Sequence, residues 1–350
     1  MESGSSRLAA ALAVGDLVVT ADLLPPRSGA PAALADIADQ AVCLKGIVTA
    51  LNVADMPSGM LAQSPWAAAS LLAARSLEPI YQMSCRDRGR LALQGDLLGA
   101  AALGIVNVLC LTGDHPRFGD HPGSRPVFDL SSTELLAAVT ALNRGTSLED
   151  MPLEGAARLF PGAVVNPGQE PLEPQLRRAA VKVRAGARFF QTQPLFLPAQ
   201  GEQFLLEAAE ADLEVPVLLG TFLLEGAGAA RYMNERVPGV RIPQSIISGL
   251  ERASNPKRYG LEVVREFLIW VFEKHGNRRR TDHDQDSFQA DTQTGSQVSV
   301  RPPYPAGAHV MSRNRFSAVA ATIRSVRESV EPAKLTESTE STGSTGSTEG

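Results

Sequence analysis

The chain has 350 residues, of which 44% are hydrophobic, and its formal net charge is −5. This length suits one α/β barrel or two average domains, and the acidic balance argues against nucleic acid as a partner. No apolar run is long enough to span a bilayer, so we predict no membrane partner. Because the first residues are also too weakly basic and apolar for a signal peptide, we expect a cytoplasmic protein.

Short apolar runs alternate with helical patterns along most of the chain. A capping box at Ser131 and Glu134 marks the start of one helix, and Gly186 marks the end of another. A strand followed by a helix, repeated many times, indicates a parallel sheet with right-handed crossovers. Seven runs are predicted as strands: residues 17–24, 46–51, 79–84, 105–112, 162–166, 187–193 and 215–221.

An eighth strand is needed to close a barrel, and the best candidate comes after a long polar run. We predict this strand at 306–312 and its helix at 316–330, with 277–303 as a mobile insertion. The alternative is a seven-stranded unit with a disordered tail. The predicted fold is therefore a single-domain (β/α)8 TIM barrel of the α/β class. Its predicted parts are an N-terminal extension at 1–14, the barrel at 15–334 and a disordered low-complexity tail at 335–350.

Two carboxylates end predicted strands, at the edge where α/β barrels keep their active sites. Asp22 lies just before Pro25, at the mouth of an apolar barrel. Desolvation there raises the pKa of a carboxyl group and lets it donate a proton near neutral pH. Asp114 follows Gly113, whose conformational freedom allows a sharp turn over the mouth. The simpler interpretations are a strand-end Asp22 bound by a backbone N–H or by Arg27, and a loop-capping Asp114.

Other charged residues are less specific. His115 and His121 share a loop with Asp114 and Asp120, but their spacing fits no standard ligand pattern, so we predict no metal site. The charged cluster at 86–88 is interpreted as an interlocking loop network. The three cysteines form no CxxC pair, which argues against a disulfide framework. No GxGxxG follows a strand, so a separate nicotinamide-binding domain is not predicted.

The longest distinctive stretch lies between Cys85 and Leu130. Its run CRDRGRLALQGDLLGAAALGIVNVLCLTGDHP, followed by GDHP and PVFDL, resembles the methylenetetrahydrofolate reductase family. The resemblance extends over roughly residues 17–330, apart from the insertion. It implies a flavoprotein, with FAD rather than FMN, that reduces 5,10-methylenetetrahydrofolate to 5-methyltetrahydrofolate in one-carbon metabolism and methionine biosynthesis. It also implies NAD(P)H or a reduced electron-carrier protein as donor, and a homo-oligomer.

The same resemblance implies roles for individual residues. Asp22 stands where the family has a glutamate, the general acid that protonates N10 of the folate, and it is one methylene shorter. Asp114 would stabilise the cationic iminium form of the substrate. Gln193 would orient the pterin, with Gln191 as an alternative on the same strand face. Thr221 is predicted as a further substrate contact.

The implied flavin contacts fall into two groups. Those at the isoalloxazine ring or its side chain are Thr49, Gln82, Leu111, Thr112, Gly113 and Asp114. Lys182 and Ala187 correspond to the family's contacts with the adenine-nucleotide half. Asn166 is a further implied flavin contact, at a position where many relatives have a tyrosine, so a stacking ring is lost there.

Two other functions remain open. A flavin-free barrel could transfer a one-carbon unit between a pterin and another carrier, which would explain the missing ring at Asn166. A non-catalytic or partner-dependent barrel subunit could bind flavin or folate inside a larger complex. The first would give a colourless protein, and the second would give a bound cofactor without turnover.

Overall fold

Eight parallel strands close into a barrel in the order in which they occur along the chain. This computed structural model describes residues 6–30, 32–237, 239–286 and 305–330. The last strand pairs with both the first and the seventh, which confirms the (β/α)8 barrel and rules out the seven-stranded alternative. The strands are β1 Val18–Leu23, β2 Ala50–Val53, β3 Pro79–Ser84, β4 Asn107–Leu111, β5 Phe160–Val165, β6 Phe189–Thr192, β7 Val217–Phe222 and β8 Gly307–Met311.

Helices surround the barrel, and none in the described part is long and apolar enough to cross a membrane. The capping box is confirmed, because Ser131 N–H donates to Glu134 Oε2 at 2.7 Å and Glu134 N–H donates to Ser131 Oγ at 3.3 Å. The described helices are α1 Arg7–Ala13, α2 Ala33–Ala41, α3 Pro65–Ala74, α4 Arg90–Ala102, α5 Ser132–Asn143, α6 Glu173–Ala185, α7 Pro198–Glu210, α8 Ala227–Arg236, α9 Gln244–Arg252, α10 Pro256–Asp286 and α11 Phe316–Val330.

Strand alternation divides the core into two layers. One side of each strand packs against the helices, as Val19 and Leu219 do. The other side fills the barrel interior, where the amino-end half is an apolar cluster that includes Ile80 and Phe189. Leu8 and Leu12 of α1 belong to this interior cluster, as do Val18, Ala50, Leu109, Leu218 and Ala306. The N-terminal helix therefore closes the amino end of the barrel.

The second strand lies further along the chain than its apolar pattern indicates. Residues 46–51 were the predicted strand, whereas β2 is Ala50–Val53. Gly46 has a φ of +74°, which makes a turn, and Ile47 is buried in the connection that follows this turn. Apolar residues buried in a loop thus imitate a strand in the sequence. As a result, Thr49 comes before β2, at the amino end of the barrel.

The predicted insertion overlaps α10. This helix continues to Asp286, so residues 277–286 are helical rather than part of a loop. Between 277 and 286 there is no glycine or proline to end the helix. The remaining insertion residues, 287–303, and the predicted tail at 335–350 lie outside the described residues.

Candidate active site at the carboxyl end of the barrel

Asp22 lies near the carboxyl end of β1, and only 7% of its surface is exposed. Its Oδ1 accepts a hydrogen bond from the backbone N–H of Ser312 at 2.9 Å, and the Ser312 hydroxyl lies 3.5 Å away. Burial raises the pKa of Asp22 to about 6, although hydrogen bonds from Ser312 and Arg313 oppose the shift. The carboxyl group can therefore exchange a proton near neutral pH.

A polar layer crosses the barrel interior at the level of Thr20. Thr20 Oγ1 lies 2.9 Å from His309 Nδ1. Gln191 and Asn52 join their side-chain amides by two hydrogen bonds of 2.6 and 3.1 Å. Burial lowers the pKa of His309 to about 4, so its imidazole is neutral at physiological pH. Asn52 was not among the predicted site residues, and no local motif marks it.

The two candidate glutamines at the end of β6 have different surroundings. Gln191 is buried, and besides Asn52 its Nε2 contacts Thr20 Oγ1 at 3.4 Å. Gln193 follows the strand and is half-buried. Its backbone N–H donates to Val165 O at 3.0 Å, and its side chain has no hydrogen bond within the described part of the chain. Of these two glutamines, Gln193 is thus the one whose side-chain amide is available at the mouth.

Gln82 offers a second available amide. It lies two residues after Ile80 on β3, and Ile80 belongs to the interior cluster, so Gln82 also faces the barrel interior. It is half-buried, and no described residue forms a hydrogen bond with its side chain. On the next strand, Leu111 is the half-buried last residue of β4, and the exposed Thr112 donates to Ser132 Oγ at 3.2 Å.

The turn that carries Asp114 packs tightly against the end of β3. Gly113 has a φ of +89°, and a Cβ there would lie 2.9 Å from Ser84 Cβ and 3.1 Å from Arg86 Cβ. The Arg86 guanidinium donates to the backbone oxygen of Met56 at 3.2 Å and approaches that of Asp114 at 3.5 Å. The backbone at Asp114 is therefore held, while its side chain is exposed at the mouth.

The charged cluster after β3 forms an ion-pair network. Arg86 pairs with Asp87 at 2.7 Å, and Arg88 pairs with Asp96 at 3.1 Å. Arg88 also forms an ion pair with the buried Asp55. The Arg88–Asp55 pair joins the loops after β2 and β3, as expected of an interlocking network, and the Arg88–Asp96 pair ties the second loop to α4.

Asp120 connects three loops at the rim. Its carboxylate accepts from Arg27 at 2.5 Å and from Leu61 N–H at 3.0 Å, and it contacts His121 Nδ1 at 2.8 Å. The His121 hydrogen bond and the Leu61 N–H lower the pKa of Asp120. We did not predict this role. The only signal for it in the sequence is the repeat of Gly-Asp-His-Pro at 113–116 and 119–122.

Three predicted contacts do not lie at the mouth. Thr49 precedes β2 and Ala187 precedes β6, so both lie at the amino end of the barrel. Thr221 is two residues beyond Leu219, which packs against the helices, so Thr221 faces the helix layer. It is fully buried, and its hydroxyl has no hydrogen-bond partner among the described residues.

The side chains of two further predicted flavin contacts form hydrogen bonds with the protein backbone. Lys182 on α6 donates from Nζ to Val164 O at 2.8 Å, and burial lowers its pKa. Asn166 Oδ1 accepts from Gly168 N–H at 3.1 Å. The Asn166 side chain also lies against Gly239, where an added Cβ would overlap it. Lys182 has two further N–H donors, and the Asn166 Nδ2 donors are not used by the Gly168 contact, so these contacts occupy each side chain only in part.

The predicted flavin residues therefore separate into two sets. Gln82 and the 111–114 segment lie at the mouth and offer half-exposed polar groups, which fit the edge of an isoalloxazine ring. Thr49 and Ala187 lie at the other end of the barrel, and Lys182 bonds to the backbone of β5. The residues at the mouth thus fit the ring end of a flavin. Among the described residues, no group of three His, Cys, Asp or Glu side chains could hold a metal ion.

Two solved structures share the fold. One is an uncharacterised protein from Clostridium thermocellum that binds two copies of 5-methyl-5,6,7,8-tetrahydrofolic acid. Its TM-score is 0.58 at 12% identity, covering 93% of this chain and 99% of that one. The other is the EDTA monooxygenase of Chelativorans sp. BNC1, with a TM-score of 0.51 at 12% identity, covering 90% and 94%. Identities this low show likeness of fold alone.

The family comparison is more specific than the fold. The sequence model of methylenetetrahydrofolate reductase matches residues 7–274, which extend from α1 into α10. This match includes Asp22, the 111–114 segment and Gln193, whereas β8 and the loop after it lie beyond it. The match confirms the resemblance that the Cys85–Leu130 stretch indicates. The chain belongs to the methylenetetrahydrofolate reductase family.

Proposed function

We propose that this protein reduces 5,10-methylenetetrahydrofolate to 5-methyltetrahydrofolate, with FAD as its flavin. The observation that carries the proposal is Asp22, a buried carboxyl group at the barrel mouth with its pKa raised to about 6. A general acid works best when its pKa lies near the working pH. Membership of the family supports the substrate class and the flavin.

Each residue at the mouth has a distinct task in this reaction. Asp22 holds a proton and delivers it to N10 as the five-membered ring of the folate opens. The N–H of Ser312 then stabilises the carboxylate that remains. Asp114 places a negative charge beside the cationic iminium form of the substrate. Gln193 offers one acceptor and two donors to the pterin edge.

The cofactor's ring end would lie beside Gln82 and the 111–114 segment. When bound, the flavin supplies the hydride that the methylene carbon accepts. NAD(P)H or a reduced electron-carrier protein would have to reach the same mouth. The homo-oligomer and the cytoplasmic location stay predictions.

A second candidate uses the same folate without a flavin. Lys182 and Asn166, two of the expected flavin contacts, are held by Val164 and Gly168 instead. This observation favours a barrel that transfers a one-carbon unit between a pterin and another carrier. The two candidates differ in colour, since only a flavoprotein absorbs visible light.

The test is an absorption spectrum of the purified protein, followed by anaerobic NADH or NADPH and then methylenetetrahydrofolate. We expect a flavin band that bleaches with the reductant and returns with the folate. Bleaching without return would point to a different electron acceptor. A band that no nicotinamide bleaches would direct attention to a carrier protein or a partner subunit. A colourless protein that neither FAD nor FMN reconstitutes would contradict the reductase and favour the second candidate.

A further inference from the structure

The carboxylate of Asp22 lies against the loop that follows β8, residues 312–314. The backbone N–H of Ser312 donates to Asp22 Oδ1 at 2.9 Å, and the Ser312 hydroxyl lies 3.5 Å from the same oxygen. Hydrogen bonds to the charged form of a carboxyl group stabilise that form. Arg313 and Asn314 have φ values of 52° and 66°, which is unusual for two adjacent non-glycine residues. This strained turn immediately follows Ser312, the residue that donates to Asp22.

Asn314 ties this turn to the end of β1. Its Oδ1 accepts from Leu24 N–H at 2.8 Å, and its Nδ2 donates to Leu24 O at 2.9 Å. Leu24 is two residues beyond Asp22, so the amide joins the donor loop to the segment that carries the acceptor. Strained backbone persists only where surrounding contacts hold it. The two hydrogen bonds of Asn314 are contacts of this kind.

We propose that the 312–314 loop is the positioning element that orients the Asp22 carboxyl group, and that Asn314 is its anchor residue. The catalytic meaning of this inference rests on the proposed function, in which Asp22 is the acid. The loop also lies beyond the part of the chain that the family model matches. It therefore adds to the site a residue that the matched segment does not contain.

Charged side chains on the neighbouring elements do not take the place of the 312–314 loop in holding the Asp22 carboxylate. Within the described residues no ion pair involves Asp22, and burial is the largest influence on its pKa. His309 on β8 bonds to Thr20 instead. Three charged groups on nearby loops have other partners: Arg27 pairs with Asp120, Asp55 with Arg88, and Arg315 with Glu225.

The same type of clamp occurs at the opposite end of the barrel and supplies a matched control. Asn143, the last residue of α5, donates to Leu159 O at 2.8 Å and accepts from Leu159 N–H at 2.7 Å. Asn143→Ala and Asn314→Ala each remove one two-point amide clamp on a leucine backbone. Only the second clamp lies beside Asp22.

The experiment is a carbon-13 NMR titration of the full-length protein with labelled aspartate, in which Asp22→Asn identifies the Asp22 signal. Asn314→Ala and Asn314→Gly are compared with Asn143→Ala. Glycine adopts positive φ without strain, so Asn314→Gly removes the clamp alone. We expect both Asn314 variants to raise the pKa of Asp22 by roughly half a unit or more, because donors to the carboxylate are weakened. We expect Asn143→Ala to leave this pKa unchanged.

An unchanged pKa in both Asn314 variants would overturn the proposal, as would an equal shift in Asn143→Ala. If the Asn314 variants do not fold, Asn314→Ser, which shortens the side chain without adding a charge, is titrated in their place, with the same two outcomes. The titration needs no turnover. A shifted pKa in a protein without reductase activity would therefore refute the proposed function and leave the positioning role intact. In an active reductase, we expect kcat to fall severalfold with little change in KM.

Discussion

Thr20 Oγ1 and His309 Nδ1 lie 2.9 Å apart across the β1–β8 pair that closes the barrel. Asp22 is two residues beyond Thr20, so it lies one interior layer above this pair. Burial raises the pKa of Asp22 and lowers that of His309, to about 6 and about 4. In the folded protein Asp22 and His309 are therefore both neutral between about pH 4 and about pH 6. Acidification changes the free energy of unfolding in opposite directions through these two groups.

The first prediction concerns the stability of Asp22→Asn at acidic pH. Below pH 6.5 the unfolded chain protonates His309 while the folded protein does not, so stability is lost as the pH falls towards 4. Asp22 has the opposite effect: the folded protein holds its proton between pH 6 and 3.8, so acidification stabilises it. Each effect is on the order of 3 kcal/mol. We expect them to nearly cancel in the natural protein, and Asp22→Asn to lose stability on acidification.

The measurement is urea unfolding at pH 6.5 and pH 4. His309→Asn is the complementary variant, since it leaves only the contribution of Asp22 and should gain stability on acidification relative to the natural chain. Parallel profiles for the three proteins would show that neither group has the shifted pKa.

The second prediction concerns proton donation. Asp22→Asn leaves a side chain of the same size that cannot deliver a proton, so we expect the rate of folate reduction to fall about 100-fold or more. Flavin reduction by the nicotinamide should be unaffected, because it needs no proton at N10. Stopped-flow measurements of the two half-reactions test this. Asp36→Asn, an exposed change on α2, is the control, and equal rates in the two variants would exclude Asp22 as the acid.

The third prediction concerns the turn at Gly113. Gly113→Ala adds a Cβ at 2.9 Å from Ser84 Cβ in a backbone with positive φ. Gly104→Ala has the same type of backbone but open space around the added Cβ. We expect Gly113→Ala to lower the free energy of unfolding by about 1–3 kcal/mol more than Gly104→Ala does. Chemical denaturation checks this, and equal losses would show that the contact with Ser84 relaxes without cost.

The fourth prediction concerns the helix that closes the amino end of the barrel. The Glu78 carboxylate accepts from the N–H groups of Arg7 and Leu8, each at 2.9 Å, and from Asn107 Nδ2 at 2.8 Å. Glu78→Ala leaves these donors without their acceptor, so we expect a loss of about 1–3 kcal/mol and faster proteolysis near Arg7. Thermal unfolding and limited proteolysis measure these effects. The exposed Glu154→Ala is the control, and similar behaviour of both variants would mean that Glu78 does not hold α1.

The sequence alone determined the features that depend on neighbouring residues. The predicted strand at 79–84 and the predicted helix at 316–330 have the same bounds in the structure. Period-two burial, helical spacing and the Ser131 capping box act within a few residues, so a local pattern is enough to reveal them. The family also follows from a continuous string of residues.

The tertiary structure decided whatever depends on distant residues. The family resemblance implied that Thr49 contacts the flavin, and only strand pairing shows that β2 begins after Thr49, at the amino end of the barrel. Gln191 and Gln193 share a strand face, and only the contact of Gln191 with Asn52 distinguishes them. Ser312 is 290 residues beyond Asp22, the carboxylate it holds. Local propensities carry no information about such pairs, because closure of the barrel brings them together.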